Sequence, residues 1–130
     1  MAQIPLNLEK LNTIILEMLI SAKADKKVNL KMVLDTGASI TTIPHEAAMS
    51  IGIDPSLSRR RIEIITASGT EYAPLVTIPK VEILDFKLTN VSAICLNLPP
   101  KSKAAGLLGI NLLKNFDIFL KFRQKLLEML

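Results

Sequence analysis

The chain has 130 residues, of which 49% are hydrophobic, and its formal net charge at pH 7 is +4. A chain of this length buries one sizeable core, which predicts a single domain over residues 1–130. The charge is mild and only 4% of the residues are aromatic, so the composition argues against a nucleic-acid partner, which usually requires a broad basic face with stacking aromatics.

The first predicted element is a β-hairpin near the N-terminus. Apolar segments 12–22 and 28–34 flank the polar pentapeptide "KADKK", which is typical of a hairpin turn. The apolar run in the first segment is interrupted by Glu17 and is shorter than the ~20 residues that a membrane-spanning helix needs. No charged segment precedes it as in a signal peptide. We therefore expect a cytoplasmic protein without a membrane partner.

The second hairpin strand delivers an acidic residue into a turn. The apolar residues 32–34 precede this turn, and the chain becomes apolar again after it. Its glycine allows the backbone to approach another surface closely. Taken alone, an Asp-Thr-Gly tripeptide is more typical of an Asx turn in which the aspartate caps its own loop. The turn consists of Asp35, Thr36, Gly37, Ala38 and Ser39.

A short helix and a second hairpin are predicted next. Residues 44–52 have Pro44 at the first helical position and a glycine after the last one. The arginines at 59–61 fit a solvated loop or a rim for acidic groups of a ligand. The hairpin joins segments 61–67 and 71–78 across a small tip, Ser68-Gly69.

The remaining chain completes a mostly antiparallel β-fold. Cys95 lies in an apolar strand segment, which favours a buried structural thiol over a nucleophile or a metal ligand. The tail 123–130 fits either an amphipathic helix or an interfacial strand, and in both cases we expect it to take part in packing. The elements together predict an all-β domain, closed or sandwiched. They include strands over 80–86, 88–96 and 117–122, a loop over 98–106 and a short helix over 110–116.

The turn at Asp35 and two later motifs resemble the retropepsin-like aspartic proteases, most closely their small single-domain bacterial members. The shared features are a strand that ends in Asp-Thr-Gly-Ala, a flap hairpin, and a late Leu-Leu-Gly followed by a short helix. The resemblance covers about residues 13–122. It implies an all-β closed barrel with one or two short helices, active as a homodimer. The flap reads Thr66, Ala67, Ser68 and Gly69, and the late motif is Leu107, Leu108 and Gly109.

The resemblance also implies a reaction. Aspartic proteases hydrolyse peptide bonds with a water molecule that is activated by two carboxylates about 3 Å apart, which share one proton. The sequence contains one Asp-Thr-Gly, so the second carboxylate has to come from Asp35 of another copy across a two-fold axis. We therefore predict a homodimeric aspartic endopeptidase that acts on polypeptides and needs no metal or other cofactor.

The family pattern assigns roles to the other motif residues. The turn 36–39 supports the catalytic loop and the dimer, with the Thr36 hydroxyl bonding to the partner's loop. Residues 107–109 pack behind the loop, and the flap residues 66–69 bind the substrate and exclude water. The chain departs from many retroviral members where Ser39 replaces an acidic residue and Ile110 replaces an arginine. Both partners of an ion pair are missing together, so no unpaired charge remains.

The sequence offers three alternatives to the protease. A serine hydrolase built on Ser39 and His45 is disfavoured because no Gly-x-Ser-x-Gly elbow surrounds the serine. A zinc site is disfavoured because the single histidine and the single cysteine are far apart in the sequence. The main alternative is a non-catalytic dimerisation or peptide-binding module that retains the protease fold, because an intact Asp-Thr-Gly is compatible with both functions.

Overall fold

The structure is a computed structural model that describes residues 1–9, 12–23 and 25–130, without the side chain of Thr66. Within these residues the chain forms ten strands, two short α-helices and a 3-10 turn at Pro55–Leu57. The helices are α1 (His45–Ser50) and α2 (Ile110–Leu113). The strands are β1 (Ala2–Pro5), β2 (Ile15–Ser21), β3 (Lys27–Leu34), β4 (Thr41–Ile43), β5 (Arg61–Thr66), β6 (Gly69–Ile83), β7 (Phe86–Cys95), β8 (Gly106–Leu108), β9 (Ile118–Lys121) and β10 (Leu126–Met129).

Six of these strands close into a barrel. The order is β2-β3-β8-β4-β7-β6, and pairing of β6 with β2 completes the ring. The β3–β8 and β4–β7 pairs are parallel, and the other neighbours are antiparallel. Along β2, the buried residues Leu16, Met18 and Ile20 alternate with more exposed ones, as expected of strands with one face in a core. The predicted all-β closed barrel is confirmed.

Strand β6 is longer than the sequence predicted. Two separate strands, 71–78 and 80–86, were predicted, but β6 is continuous and includes Pro79 between them. Pro79 lies opposite Asn90, and these two residues are not paired although the pairs on either side of them are. Asn90 has a positive φ of 54°. The proline is tolerated because its missing N–H lies at a position where β6 and β7 are not paired by hydrogen bonds.

The two predicted hairpins are both present. Strands β2 and β3 pair as expected, and β5 pairs with the first part of β6. The predicted tip of the second hairpin, Ser68-Gly69, was wrong by one residue. Thr66 pairs with Gly69, so the two-residue turn is Ala67-Ser68 and Gly69 already belongs to the strand. The φ of Gly69 is +130°, a value that L side chains rarely adopt, and this explains the glycine next to the turn.

Both predicted helices are present but shorter than expected. Helix α1 begins at His45, and Pro44 is its N-cap in an extended conformation, so the prediction of Pro44 as the first helical residue was wrong by one position. The chain leaves α1 through Gly52, which has a φ of +88° as expected of a residue after a helix end. Helix α2 occupies only 110–113 of the predicted 110–116.

The two chain ends pair with each other in a separate three-stranded sheet, β1-β10-β9. Segment 123–130, for which helix and strand were both open, therefore provides a strand, and β1 was not predicted. The side chains of Leu127 and Met129 are fully buried in the common core, while the residues between and before them are only partly buried. The alternation with period two explains why this amphipathic segment forms a strand.

The burial of Cys95 agrees with the prediction from the sequence. The Cys95 side chain is buried at the end of β7, and burial raises the pKa of its thiol to about 11. A neutral buried thiol is consistent with the predicted structural role. Over the ranges that the structure describes, none of the helices is long enough and apolar enough to span a bilayer.

Candidate active site

Asp35 is positioned by the parallel pairing of two barrel strands. Strand β3 pairs with β8 so that Leu34 lies opposite Leu108. The next residue, Asp35, donates its backbone N–H to the carbonyl oxygen of Leu108 (N···O 3.1 Å). The predicted packing of the Leu-Leu-Gly motif behind the Asp35 turn is therefore made in part by the main chain. The Asp35 side chain is half-buried at the edge of the barrel.

The turn fixes one oxygen of the Asp35 carboxylate and leaves the other open. The backbone N–H of Gly37 donates to Oδ1 (2.9 Å), and the N–H of Ala38 donates to the Asp35 carbonyl oxygen (3.2 Å). The other oxygen, Oδ2, accepts no hydrogen bond from the described residues. A Cβ at position 37 would lie 3.2 Å from Oδ1, which is a tight contact, so the glycine suits this local bond. The Asx turn that the sequence also allowed is present, and it orients the carboxylate.

The far side of the turn is held by the start of α2. The N–H groups of Ile110 and Asn111 donate to the carbonyl oxygens of Ala38 (2.8 Å) and Ser39 (3.1 Å). Gly109 precedes them and packs directly on the chain after the turn, since a Cβ there would lie 2.5 Å from the carbonyl carbon of Ile40. The two sequence motifs, which are about seventy residues apart, are therefore brought into backbone contact.

Two residues that the sequence reasoning missed join these motifs. The side chain of Asn111 accepts from the N–H (2.8 Å) and the hydroxyl (2.9 Å) of Thr41, and it donates to the carbonyl oxygen of Ser92 (2.7 Å). The Thr41 hydroxyl in turn accepts from the N–H of Gly109 (3.1 Å). Thr41 is fully buried. A threonine in an apolar strand is a sequence signal of such a buried polar contact.

Replacement of Asn111 by alanine should destabilise the fold by about 2–3 kcal/mol, because the buried Thr41 groups lose their acceptor. Asn111→Asp is the comparison variant, since it keeps both accepting bonds to Thr41 but places an oxygen, which cannot donate, against the carbonyl oxygen of Ser92. Urea unfolding of the two variants measures the difference. Equal stability of Asn111→Ala and the parent would contradict this role for the side chain.

A cleft of about 380 Å³ lies between the Asp35 turn and the β5–β6 hairpin. Strand β5 contributes residues 62–65 to its wall, while residues 67–69 of the predicted flap are not part of the described lining. Leu107 lines the cleft, whereas Leu108 and Gly109 are buried behind the turn. The lining is mostly apolar and consists of Gly37, Ala38, Ser39, Ile40, Thr42, Ile62, Glu63, Ile64, Ile65, Ile94, Leu96 and Leu107.

The structure does not assemble the other sites considered from the sequence. Ser39 and His45 make no hydrogen bond to each other, and the backbone N–H of His45 donates to the side chain of Asn97 (3.1 Å). No group of three or more His, Cys, Asp or Glu side chains within residues 1–9, 12–23 and 25–130 is arranged to hold a metal ion. Thr36 is exposed next to Asp35, and its hydroxyl has no hydrogen-bond partner among the described residues of its own chain.

Comparisons with known proteins agree with this geometry. The profile of a family described as "gag-polyprotein putative aspartyl protease" matches residues 20–115. An uncharacterized protein in the cobV 5' region of Sinorhizobium sp is 29% identical over 99 residues, which cover 75% of this chain but only 41% of that protein. A crystal structure of a retropepsin-like aspartic protease from Rickettsia conorii matches with a TM-score of 0.71 at 22% identity, over 96% of this chain and 86% of that chain. The structural match confirms the predicted retropepsin-like fold.

Proposed function

Because the chain belongs to the retropepsin-like gag-polyprotein aspartyl protease family, we propose that it is an aspartic endopeptidase with Asp35 as its catalytic residue. The observation that carries the proposal is the state of the Asp35 carboxylate. One oxygen is fixed by the N–H of Gly37 and the other is open, at the end of a barrel strand and in a turn whose residues 37–39 line an apolar cleft. This arrangement suits a carboxylate that exchanges protons with water.

The proposed enzyme is a homodimer, because one carboxylate cannot act as base and acid in the same step. The partner's Asp35 supplies the second carboxylate, and the close pair shares one proton. The ionised carboxylate takes a proton from water while the water oxygen bonds to the peptide carbonyl carbon. The protonated carboxyl gives its proton to the carbonyl oxygen, which yields a gem-diol. The newly protonated carboxyl then gives its proton to the amide nitrogen while the other carboxylate takes a proton from a gem-diol hydroxyl. The C–N bond breaks, a carboxylic acid and an amine form, and the pair is again singly protonated.

Two surfaces of the single chain support the dimer. Thr36 presents an exposed hydroxyl beside Asp35, where a partner's loop would have to approach. The terminal sheet β1-β10-β9 has two edge strands, and Phe119 on β9 is 46% exposed. Unpaired strand edges with exposed apolar side chains are surfaces that a second chain commonly covers.

Thr36→Val should weaken dimerisation about thirtyfold while the monomer stays folded. Valine keeps the shape of threonine and removes only the hydroxyl, whose bond to the partner's loop is worth on the order of 1 kcal/mol for each of the two symmetric copies. Sedimentation equilibrium of both proteins measures the dimer dissociation constant. An unchanged constant would show that the hydroxyl does not take part in the interface.

The other motif residues have supporting roles in this proposal. Ala38 and Ser39 offer backbone carbonyls that tie the turn to α2, and residues 107–109 hold it from behind. The β5–β6 hairpin, with its turn at residues 67–68, closes over the substrate and excludes water. The apolar lining of the cleft favours substrates with hydrophobic side chains next to the scissile bond.

We place the enzyme as one domain over residues 1–130 in a cytoplasmic setting. A common buried cluster that includes Leu6 near one end and Met129 at the other supports the single domain. A lone buried thiol, with no second cysteine in the sequence, suits a reducing compartment.

The proposal is tested by incubating the purified protein with an unstructured polypeptide such as reduced, alkylated casein. Mass spectrometry then follows the appearance of new peptide termini. Cleavage that rises with the dimer fraction supports the proposed enzyme. Binding of the polypeptide by a dimer without any cleavage would instead support the alternative function, a non-catalytic peptide-binding module.

A further inference from the structure

A second cleft, of about 390 Å³, lies on the outer surface of the barrel. Four neighbouring strands form it: β3, β2, β6 and β7. It shares no lining residue with the cleft next to Asp35. Its polar lining includes Ser21, Lys23, Lys27, Lys80, Glu82 and Lys87.

The strand registers explain the shape of this cleft. Lys27 pairs with Ser21, Ser21 with Lys80, and Lys80 with Thr89, so these four residues form one row across the four strands. Directly paired residues point to the same side of a sheet. The row therefore alternates long amines with short hydroxyl side chains. The short Ser21 between two lysines leaves a depression with amines on both sides.

The next row on the same side of the sheet completes the cleft. Among the described residues, it supplies the only carboxylate of the lining. Leu19 pairs with Glu82, and Glu82 with Lys87. The Lys87 amine and the Glu82 carboxylate form an ion pair at 3.7 Å. The amines of Lys23, Lys27 and Lys80 have no such partner among the described carboxylates. The lining thus carries four positive groups against one negative group.

We infer that this cleft binds a small, multiply charged phosphate compound. Lys27 and Lys80 are two strand spacings apart, about 10 Å between their backbones, and their flexible side chains can approach one ligand from opposite sides. Like charges at this separation repel each other, and a polyanion between them removes the repulsion. The hydroxyls of Ser21 and Thr89 add neutral donors to phosphate oxygens. A chain of two or three phosphates spans the row better than a single one.

The phosphate site is separate from the proposed catalysis. Lys27 is the first residue of β3, and Asp35 follows the last residue of the same eight-residue strand. At about 3.3 Å per residue, the two positions are on the order of 25 Å apart. Binding in this cleft therefore neither requires nor tests the peptidase activity.

The test is a titration of the intact protein with inorganic tripolyphosphate at 150 mM salt, followed by isothermal calorimetry and by amide chemical shifts. We expect saturable binding, with shifts concentrated on residues 19–23, 27 and 80–89. Lys80→Gln and Lys27→Gln should each weaken binding about tenfold, because each removes one charge-assisted hydrogen bond. Lys31→Gln is the matched control. It makes the same charge change on the same strand, at an exposed residue outside the cleft, and should change binding less than twofold.

Three results would overturn the inference: no saturable binding, equal weakening by Lys31→Gln, and equal affinity for citrate. The second would mean general attraction to a basic protein, and the third would mean a site without preference for phosphate. Orthophosphate serves as the comparison for chain length, and it should bind more weakly than tripolyphosphate. Two cleft variants are used because one of them could fold poorly, which its amide spectrum would reveal. The other variant would then still test the site.

Discussion

Asp35→Asn is expected to lower the rate of peptide hydrolysis on the order of a thousandfold or more, because an amide cannot take a proton from water or return one to the substrate. The fold should be retained. The asparagine side-chain oxygen can still accept the bond from the N–H of Gly37, so the free energy of unfolding should change by no more than about 0.5 kcal/mol. Rates are measured on a quenched peptide and stability by urea unfolding, each at a protein concentration where the dimer dominates.

Asp85→Asn is the matched control for this change. It makes the same substitution at an exposed aspartate in the turn between β6 and β7, outside the cleft lining, and should leave the rate unchanged. Mixed dimers give a sharper test of the shared site. Parent and mutant chains with different affinity tags are co-expressed, and the heterodimer is isolated. One mutant chain should inactivate the pair, so a heterodimer with full activity would contradict the two-carboxylate mechanism.

Gly109→Ala is expected to lower the free energy of unfolding by at least about 3 kcal/mol, because the new methyl group would overlap backbone atoms rather than a flexible side chain. A Cβ at this position would lie 2.5 Å from the carbonyl carbon of Ile40 and 2.7 Å from the nitrogen of Thr41. The midpoint of thermal unfolding should fall by roughly 10 °C or more. Any folded fraction should also lose activity, because α2 would be pushed away from the Asp35 turn.

Gly69→Ala provides the comparison for Gly109→Ala. A Cβ at Gly69 would meet nothing within 4 Å, although the φ of +130° is unfavourable for alanine. The cost there is confined to local backbone strain next to the hairpin turn, on the order of 1–2 kcal/mol. Differential scanning calorimetry compares the two variants. If Gly69→Ala were the more destabilising, steric overlap at Gly109 would not be the dominant effect.

The sequence predicted most of the elements because their signals are local. The polar turn "KADKK" between two apolar segments, and the proline and glycine around α1, are patterns formed by residues that are close in the sequence. The errors occurred where the structure of a segment depends on pairing with a segment that is distant in the sequence. Residues 71–78 and 80–86 were predicted as two strands, but the position of Pro79 opposite Asn90, eleven residues later, allows β6 to continue. The tail 123–130 is a strand because β1 and β9 lie on either side of it.

By itself, the sequence identified the catalytic candidate, Asp35, and predicted a second copy of the chain, because one Asp-Thr-Gly supplies one carboxylate. Only the tertiary structure decided how Asp35 is held, since its turn is fixed by Leu108, Ile110 and Asn111 far along the chain. It also gathered four lysines that are scattered over more than sixty residues into one cleft. The reason is physical: a local pattern reports the periodicity of an element, whereas barrel closure and strand register place distant side chains side by side.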